Sequence, residues 1–498
     1  MKCKYLLFFC LTLLCFINAT AVEVDSLYLW KFNTGALFAR PVIVNNVAYF
    51  GSKDKNFYAV NIKDGKEIWR FKADTVNSFA AVKENIVVFE AKNRLYGLDV
   101  ASGKQLWSFS NGDNLNVAVG FTDYHHASPV IDGNMVVYCD QLGYINGIDL
   151  KSGKPLYKYQ IDSKQPIRAT PAVKDGIIYT GDWGGNIYAV SLKKHSLVWK
   201  HKMDSVREYY GAVVSEMIIK DNLLFFGSQH DVSCPLDIKT GKPAWTFYDK
   251  HHTYLPSTPV FKGSKMYIAT TIFANKVYCF DYKKGPALEW DFQAEGIFFT
   301  TPVVKDSVLI MNSSLYFDQR SSHLYFINCN TGKLLGMIPF KNMPPSLPLL
   351  ENNVLYLSMN DGLYAANYDA LFKLAQAKCD SFKIIQTSKN YIEGWYNGDT
   401  VRMNQALHPD LTKRRYDFKK NTFGNLTKSN MMEFTKAGYG KRTPREKIKN
   451  EFEVLDIYQN IASAKAVSCD FVDYMQLLKV NDEWKIVNVL WDFKVDKK

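Results

Sequence analysis

A short phrase recurs at least seven times along this chain: a strand led by tyrosine, a turn of Gly and Lys, and then a tryptophan. In one of the clearest copies Tyr58 opens the strand, Asn61 ends it, Gly65 and Lys66 form the turn, and Trp69 follows. Repeats with a period of roughly 40 to 50 residues are typical of propellers and solenoids, because one unit cannot bury its apolar face without neighbours. The repeat therefore constrains the fold before any residue is considered for chemistry.

The tryptophan position of the repeat gives the number of units. It is occupied by Trp30, Trp69, Trp107, Tyr157, Trp199, Trp245, Trp290 and Gly336. Trp30 has no strands of its own before it, and the last unit, residues 354–367, has no tryptophan after it. The N-terminal strand with Trp30 can therefore be the missing strand of the last unit. The sequence predicts a mainly β protein with an eight-bladed propeller over residues 22–368, closed by the N-terminal strand.

The consensus Tyr-Ala-Leu-Asp, three residues, Gly-Lys, two residues, Trp resembles the repeat of the pyrroloquinoline-quinone-enzyme type of β-propeller. Families with this repeat include quinoprotein dehydrogenases and the outer-membrane barrel-assembly lipoprotein, an eight-bladed scaffold without catalysis. The resemblance implies the fold and leaves both functions open. Those dehydrogenases have adjacent cysteines over the cofactor, and this sequence has no adjacent cysteines. We therefore expect no cofactor, pyrroloquinoline quinone included.

The N-terminus predicts export. Two lysines precede an apolar run over residues 6–17, and small residues follow at Ala19 and Ala21, which is the pattern of a cleaved signal peptide over residues 1–21. Both cysteines of the run follow a large apolar residue, whereas bacterial lipoprotein signals have a small one there, so we expect no lipidation. The mature protein is expected to be periplasmic or extracellular.

The formal charge is +12, and the densest basic cluster combines residues 413–415 with Lys419 and Lys420. An exported chain rarely meets nucleic acid, so none is expected as a partner. The cluster fits a solvated basic face, or attraction to anionic lipid, polysaccharide or an acidic protein, which leaves peripheral membrane association open. The cysteines beyond the signal show no metal-ligand spacing, and we predict no metal site; they are Cys139, Cys234, Cys279, Cys329, Cys379 and Cys469.

After residue 367 the repeat stops and helical spacing begins. The pattern predicts a linker helix within residues 369–380, and then an α+β domain over residues 381–498. Within that domain we expect helices at 384–395, after an N-cap at Asp399, and at 428–436, followed by strands at 451–458, 462–471, 474–480 and 484–493. Residues 391–399, 406–411, 473–474 and 484–491 carry a resemblance to the nuclear transport factor 2-like cone fold, in the branch named for lumazine binding.

Such cones enclose a pocket that binds small molecules or serve as a dimer platform, so a homodimer through this domain stays open. The residues expected to line the pocket are Trp395, Tyr396, His408, Tyr474 and Trp491. The alternative is that these side chains belong to an ordinary core. Asp473 and Tyr474 offer the residue types of an acid/base pair, but adjacent strand residues point to opposite faces, so we expect no enzyme activity in this domain.

In the propeller, chemistry is expected on the loops that lead into the innermost strands, because these loops surround one mouth of the channel. The candidates for a ligand or partner site are His125, His126, Arg168, Tyr209, Tyr210, His251, His252 and Phe299. Surface-loop residues without a ligand are the alternative. The sequence thus favours an exported, non-catalytic scaffold that binds an envelope or extracellular protein, or a small ligand. A quinone-dependent oxidoreductase and a glycan-binding protein are the alternatives.

Overall fold

The computed structural model describes residues 26–37, 39–112, 126–203, 212–249, 255–270, 275–294, 301–313, 322–340, 348–442 and 450–494. The chain divides into two compact units, Val24–Ala375 and Gln376–Lys498. Within these described ranges, no helix is long and apolar enough to cross a membrane. The signal peptide expected over residues 1–21 lies outside them.

The first unit is built from small antiparallel sheets, which we call blades. After β1 (Tyr28–Asn33), blade 1 contains β2 (Val42–Val44), β3 (Val47–Gly51), β4 (Asn56–Asn61) and β5 (Glu67–Lys72). Blade 2 contains β6 (Ala81–Lys83), β7 (Ile86–Ala91), β8 (Arg94–Asp99) and β9 (Gln105–Phe109). Blade 3 contains β10 (Val130–Asp132), β11 (Met135–Cys139), β12 (Tyr144–Asp149) and β13 (Pro155–Gln160). Blade 4 contains β14 (Ala172–Lys174), β15 (Ile177–Gly181), β16 (Asn186–Ser191) and β17 (Ser196–Lys202).

The later blades follow the same order, with one irregular member. Blade 5 contains β18 (Ile218–Lys220), β19 (Leu223–Phe225), β20 (Val232–Ser233), β21 (Leu236–Asp237) and β22 (Phe247–Tyr248), in which β20 pairs with β22 apart from the other three. Blade 6 contains β23 (Val260–Lys262), β24 (Lys265–Ala269), β25 (Lys276–Asp281) and β26 (Leu288–Gln293). Blade 7 contains β27 (Val303–Lys305), β28 (Val308–Ser313), β29 (Ser322–Asn328) and β30 (Leu334–Phe340). Blade 8 contains β31 (Leu349–Glu351), β32 (Val354–Met359) and β33 (Gly362–Asn367).

The N-terminal strand completes the last blade. β1 pairs antiparallel with β33, where Trp30 lies opposite Ala365, and so becomes the fourth strand of blade 8. A hydrophobic cluster joins Trp30 and Tyr356 of blade 8 to Phe50 of blade 1. The first and last blades are therefore neighbours, and the unit is a closed propeller. In the part of the chain that the structure describes, seven of these units are four-stranded sheets and one is divided into a three-stranded and a two-stranded sheet, while the count of eight blades stays a prediction.

The core of the propeller lies between blades. Each hydrophobic cluster of this unit contains buried residues of two successive blades, and together the clusters make the full circuit; the cluster of blades 7 and 8 also includes residues 368–375 of the helix that follows β33. Between blades 1 and 2, for example, the rings of Phe57 and Phe89 are stacked with centroids 3.9 Å apart. A blade alone would leave both faces exposed, so the stacking of neighbours stabilises each of them.

The repeated phrase forms a contact between blades, which we call the Trp–Gly latch. The Trp69 indole N–H donates to the carbonyl of Val100 in the next blade at 2.8 Å. A Cβ atom on Gly103 of that blade would lie 2.5 Å from the Trp69 ring, so only glycine allows this approach. The same close approach joins Trp30 to Gly65, Trp107 to Gly153, Trp199 to Gly241, and Trp290 to Gly332. Where the repeat has Tyr157 instead, His195 replaces the glycine and lies 4.6 Å from the tyrosine ring.

The second unit is an α+β fold around one six-stranded sheet. Its helices are α1 (Tyr368–Asn397), which begins in the first unit, α2 (Thr400–Ala406) and α3 (Lys428–Lys436), with a 3-10 turn at Tyr439–Arg442. Its strands are β34 (Leu407–Asp417), β35 (Thr422–Thr427), β36 (Glu451–Tyr458), β37 (Ile461–Val467), β38 (Phe471–Val480) and β39 (Glu483–Phe493). The sheet order is β35-β34-β39-β38-β37-β36, and β34 is parallel to β39.

The second unit departs from the sequence expectation in two places. The predicted linker helix and the helix at 384–395 are one continuous helix, α1, because no proline interrupts it. The hairpin of β34 and β35 was not predicted, since its sequence is rich in charged residues and contains Pro409. Asp399 is an N-cap as predicted, and accepts from the backbone N–H groups of Val401 and Arg402.

Candidate functional site

The inner ends of several blades are joined by hydroxyl groups. The backbone N–H of Phe79 donates to Ser128 Oγ at 3.1 Å, and that of Ser128 donates to Thr170 Oγ1 at 3.0 Å. Between blades 5 and 6, the N–H of Glu216 donates to Thr258 Oγ1 at 3.2 Å. The Ser and Thr residues that precede the inner strands therefore satisfy backbone donors of neighbouring blades, which stabilises the ring around its channel.

An ion pair crosses this channel. Arg40 of blade 1 donates from Nη2 to both carboxylate oxygens of Glu216 at 3.2 Å, and blades 1 and 5 lie on opposite sides of the ring. The Arg40 guanidinium also lies 4.9 Å from the centroid of the Phe79 ring. Burial raises the pKa of Glu216 above its ordinary value, and the charge of Arg40 partly opposes this shift.

A second pair of contacting side chains involves a predicted residue. His126 Nδ1 lies 3.0 Å from both oxygens of Glu90, which is buried. The contact with both oxygens of Glu90 fixes the orientation of the imidazole. The backbone N–H of Asn93 donates to the same carboxylate at 2.5 Å.

The cavity at the inner ends of the blades is small. It is lined by His126, Glu216 and the hydroxyl residues of several blades, and its volume is about 40 Å³. This volume has room for a few water molecules, whereas sites for small molecules are typically about 300 to 1,000 Å³. No group of three or more His, Cys, Asp or Glu residues in the described ranges is arranged to hold a metal ion. Among the described residues of the channel, Arg40 contacts Glu216 and His126 contacts Glu90.

Of the predicted mouth residues, only two can be placed. His126 lines the cavity, whereas Arg168 is buried and is not among the lining residues. The Arg168 Nε donates to Gln141 Oε1 at 3.3 Å, and the guanidinium lies 4.4 Å from the Trp183 ring. His125, Tyr209, Tyr210, His251, His252 and Phe299 lie outside the described residues. The sequence reasoning missed Arg40, Glu90 and Glu216. Glu90 could have been found from the sequence, because it is the single acidic residue within an apolar strand.

The outer edge of the propeller presents exposed aliphatic residues on consecutive blades. Each directly precedes a latch aromatic on the outermost strand, and their exposed fractions run from 47% to 57%. They are Leu29 of blade 8, Ile68 of blade 1, Leu106 of blade 2, Leu156 of blade 3 and Val198 of blade 4, and we call them the apolar rim. Each is the extra residue of a β-bulge, where the register of the outermost strand shifts, so it stays exposed beside a buried latch aromatic. At the same position blades 5 and 6 have Ala244 and Glu289.

The five residues predicted to line the pocket of the second unit do not meet in one place. Tyr396 is buried, with its hydroxyl 3.1 Å from Ser468 Oγ and from Asp470 Oδ2. Trp395 and Trp491 are half-buried and pack against the core. His408 is half-buried on β34, where its Nδ1 accepts from the N–H of Asp410. Tyr474 is 49% exposed on the other face of the sheet, so it does not line the interior.

Asp473, next to Tyr474, takes part in a buried polar cluster that the sequence did not reveal. Lys413 hydrogen-bonds to Asp473 Oδ1 and to the Tyr391 hydroxyl, which itself donates to Asp473 at 3.0 Å. Lys413 Nζ also lies 4.6 Å from the Trp491 ring. Burial lowers the pKa of Lys413, against the opposing charge of Asp473, and burial raises the pKa of Tyr391. We call Tyr391, Lys413 and Asp473 the buried triad.

The buried triad corrects one expectation and bears on another. Lys413 was assigned to an exposed basic cluster, but the alternation of β34 buries Lys413 and exposes Arg414. Asp473 and Tyr474 point to opposite faces, as predicted, because they are neighbours on one strand. The second oxygen of Asp473, Oδ2, is buried and has no hydrogen-bond partner within the described residues. The six cysteines of those residues are free thiols, and five are buried.

The fold and the channel together define a closed propeller of latched repeats with a separate α+β unit. Two overlapping matches to the family model described as "Outer membrane protein assembly factor BamB", over residues 20–170 and 143–314, together cover more than half of the chain. The chain belongs to this family. A second family model, described as "Putative lumazine-binding", matches residues 380–492. Both resemblances noted in the sequence are confirmed.

Among curated relatives, the outer membrane protein assembly factor BamB of Yersinia pestis is 24% identical over 226 residues, which are 43% of this chain and 54% of that protein. The tetrathionate hydrolase of Acidithiobacillus ferrooxidans is 22% identical over 344 residues, 59% of this chain and 65% of that protein. The chain thus spans about half the length of the Yersinia relative. A europium-containing methanol dehydrogenase superposes with a TM-score of 0.54 at 13% identity, over 67% of this chain and 85% of that chain. At that identity the likeness concerns the fold alone.

Proposed function

We propose that this protein is an exported, non-catalytic scaffold that binds a protein partner during the assembly of outer membrane proteins. The role in outer membrane protein assembly is proposed because the matching family and its curated relatives are named for that process. Export is proposed because the N-terminus resembles a signal peptide. The periplasm is the compartment that agrees both with export and with a role in outer membrane assembly.

The observation that carries the proposal is the contrast between the channel and the apolar rim. In the channel, Arg40 is paired with Glu216 and His126 with Glu90, around a cavity of about 40 Å³. This arrangement favours structural pairing over the binding of a substrate or a quinone. The rim, in contrast, exposes one aliphatic side chain on each of five consecutive blades, which offers a protein partner a repeated apolar contact along the edge of the propeller.

Photo-crosslinking in the native host tests the proposal. A photo-reactive amino acid replaces Leu106 in the rim, and the matched control replaces Glu289, which precedes Trp290 at the same position of blade 6. We expect crosslinks from position 106 to a protein of the outer membrane assembly machinery or to one of its client proteins, and few from position 289. Equal crosslinking from both positions, or crosslinks only to unrelated proteins, would contradict the proposal.

Two further measurements address the alternatives. An absorbance spectrum of the exported protein reveals a bound quinone, which would favour an oxidoreductase and overturn the scaffold. The native mass of the same sample tests the homodimer through the second unit, which stays a prediction.

A further inference from the structure

The second unit has an open edge beside a groove. β36 is an end strand of the six-stranded sheet and, within the described residues, pairs only with β37. A cavity of about 650 Å³ lies along it, bounded by Ser381 and Ile385 of α1 and by Val467 of β37. We call this cavity the β36 groove. It contains none of the five residues that the sequence placed in a pocket.

The side chains of β36 give the groove two chemical characters. Phe452, Val454 and Ile457 are half-buried and pack against the core of the unit. Glu451, Glu453 and Asp456, which also line the groove, are exposed and form no ion pair within the described part of the chain. An apolar floor therefore runs beside a row of exposed carboxylates, with Lys465 of β37 in the register position opposite Glu453. The chain as a whole has a formal charge of +12, so this acidic row is opposite in sign to the net charge of the protein.

We propose that the β36 groove binds an extended peptide segment of alternating apolar and basic residues, which adds a strand to the sheet. An end strand offers a row of free backbone N–H and C=O groups that another strand can pair with. Because side chains alternate along a strand, the apolar residues of such a segment would enter the groove while its basic residues face Glu451 and Glu453.

Charge selects this occupant over a second copy of the chain. Pairing β36 with its own copy would bring Glu451 and Glu453 of both copies to one face, and like charges across strands are destabilising. The same carboxylates discourage apolar or acidic strands, and so restrict the edge to basic ones. The inference concerns the second unit alone and does not depend on the function proposed for the propeller.

Fluorescence anisotropy of a labelled synthetic peptide that alternates lysine and valine, titrated with the full chain, tests this inference. We expect Glu453→Lys to weaken binding roughly tenfold, because an attractive cross-strand pair becomes a repulsive one. The matched control is Glu433→Lys, which makes the same charge change on an exposed position of α3. Since α3 contacts β34 and β35, at the far end of the sheet, this control should bind as the parent does.

Hydrogen exchange locates the bound peptide. Backbone amides of residues 451–458 should become protected when the peptide binds, and those of the propeller should not. Three results would each overturn the inference: no binding, equal binding of a peptide with its lysines and valines in separate blocks, or protection away from β36. The second of these would show an attraction to charge without strand pairing. Unchanged circular dichroism of both variants verifies that they are folded.

Discussion

In the propeller, the same contact joins several pairs of neighbouring blades, whereas the second unit contains, among its described residues, a buried ion pair that does not belong to any repeat. Within the described residues, six indole N–H groups donate to a carbonyl of the next blade, from Trp30, Trp69, Trp107, Trp199, Trp245 and Trp290. The buried triad has no second copy: Lys413 and Asp473 each depend on the other. Loss of one latch leaves the other latches in place, whereas loss of one member of the ion pair leaves its partner buried without an opposite charge.

The largest effect should come from removing the one strand on which the ring closure depends. Deleting residues 24–33 removes β1 and Trp30, and so exposes the faces of blades 8 and 1. Loss of a buried tryptophan alone typically costs about 3 to 5 kcal/mol, and the deletion also removes a row of backbone hydrogen bonds. We expect the propeller to lose its cooperative thermal transition. Leu29→Ser, in the same strand but at an exposed position, should retain it, and unchanged melting of the deletion would disprove closure by β1.

The next largest effect should come from the buried triad. Lys413→Met leaves Asp473 as an unpaired buried charge, which costs about 3 to 5 kcal/mol. Because the chain has two units, hydrogen exchange of peptides from residues 400–494 measures this change better than a single global transition. The neighbouring Arg414→Met, on the exposed face of β34, should change little.

A double substitution shows whether the loss of stability comes from the unpaired charge or from the lost side-chain volume. Lys413→Met combined with Asp473→Leu removes both charges, so most of the lost protection should return. If the double variant is as unstable as Lys413→Met alone, the volume of these side chains rather than their charge stabilises the unit.

A smaller effect should come from a single latch in the propeller, because its neighbours remain. Gly103→Ala places a Cβ atom 2.5 Å from the Trp69 ring, at a backbone φ of +68°. Gly133→Ala is the matched control, since Gly133 has a φ of +57° but open space around it. Both variants carry the strain of positive φ, and the clash should add about 1 to 3 kcal/mol to the first. Equal free energies of unfolding in urea would show that the glycine is needed only for its turn.

The same contrast explains how much the sequence could predict. The propeller was predictable because its phrase recurs, so errors in one copy were corrected by the others. The glycines were recognised as turn residues, but their contact with a tryptophan requires knowing that Trp69 approaches Gly103 from another blade. In the second unit, the run of residues 413–415 looked uniformly basic. That Lys413 is buried follows from the pairing of β34, a strand that the sequence did not reveal.

The candidate site was harder to predict because its contacts are long-range. Glu90 and His126 are 36 residues apart, and Arg40 and Glu216 are 176 apart. Each pair joins two blades, and the repeat gives the positions of blades without giving their inner side chains. His126 was found because it lies just before an inner strand. Its partner Glu90 lies inside a strand, where no rule about loops would find it.

The smallest effect should be a pH dependence from Glu216, the partner of Arg40 across the channel. Its pKa is raised in the folded protein, mainly by burial, so the folded state holds a proton over a pH range in which the unfolded chain has released it. The contribution of Glu216 to folding stability is fully present below the ordinary pKa of glutamate. It is lost as the pH rises through the pKa that Glu216 has in the folded protein. Glu216→Gln cannot titrate, so the stability of the parent relative to this variant should decrease with rising pH. Urea unfolding at a series of pH values measures this difference. A difference that grows with pH would mean that Arg40, rather than burial, dominates at Glu216.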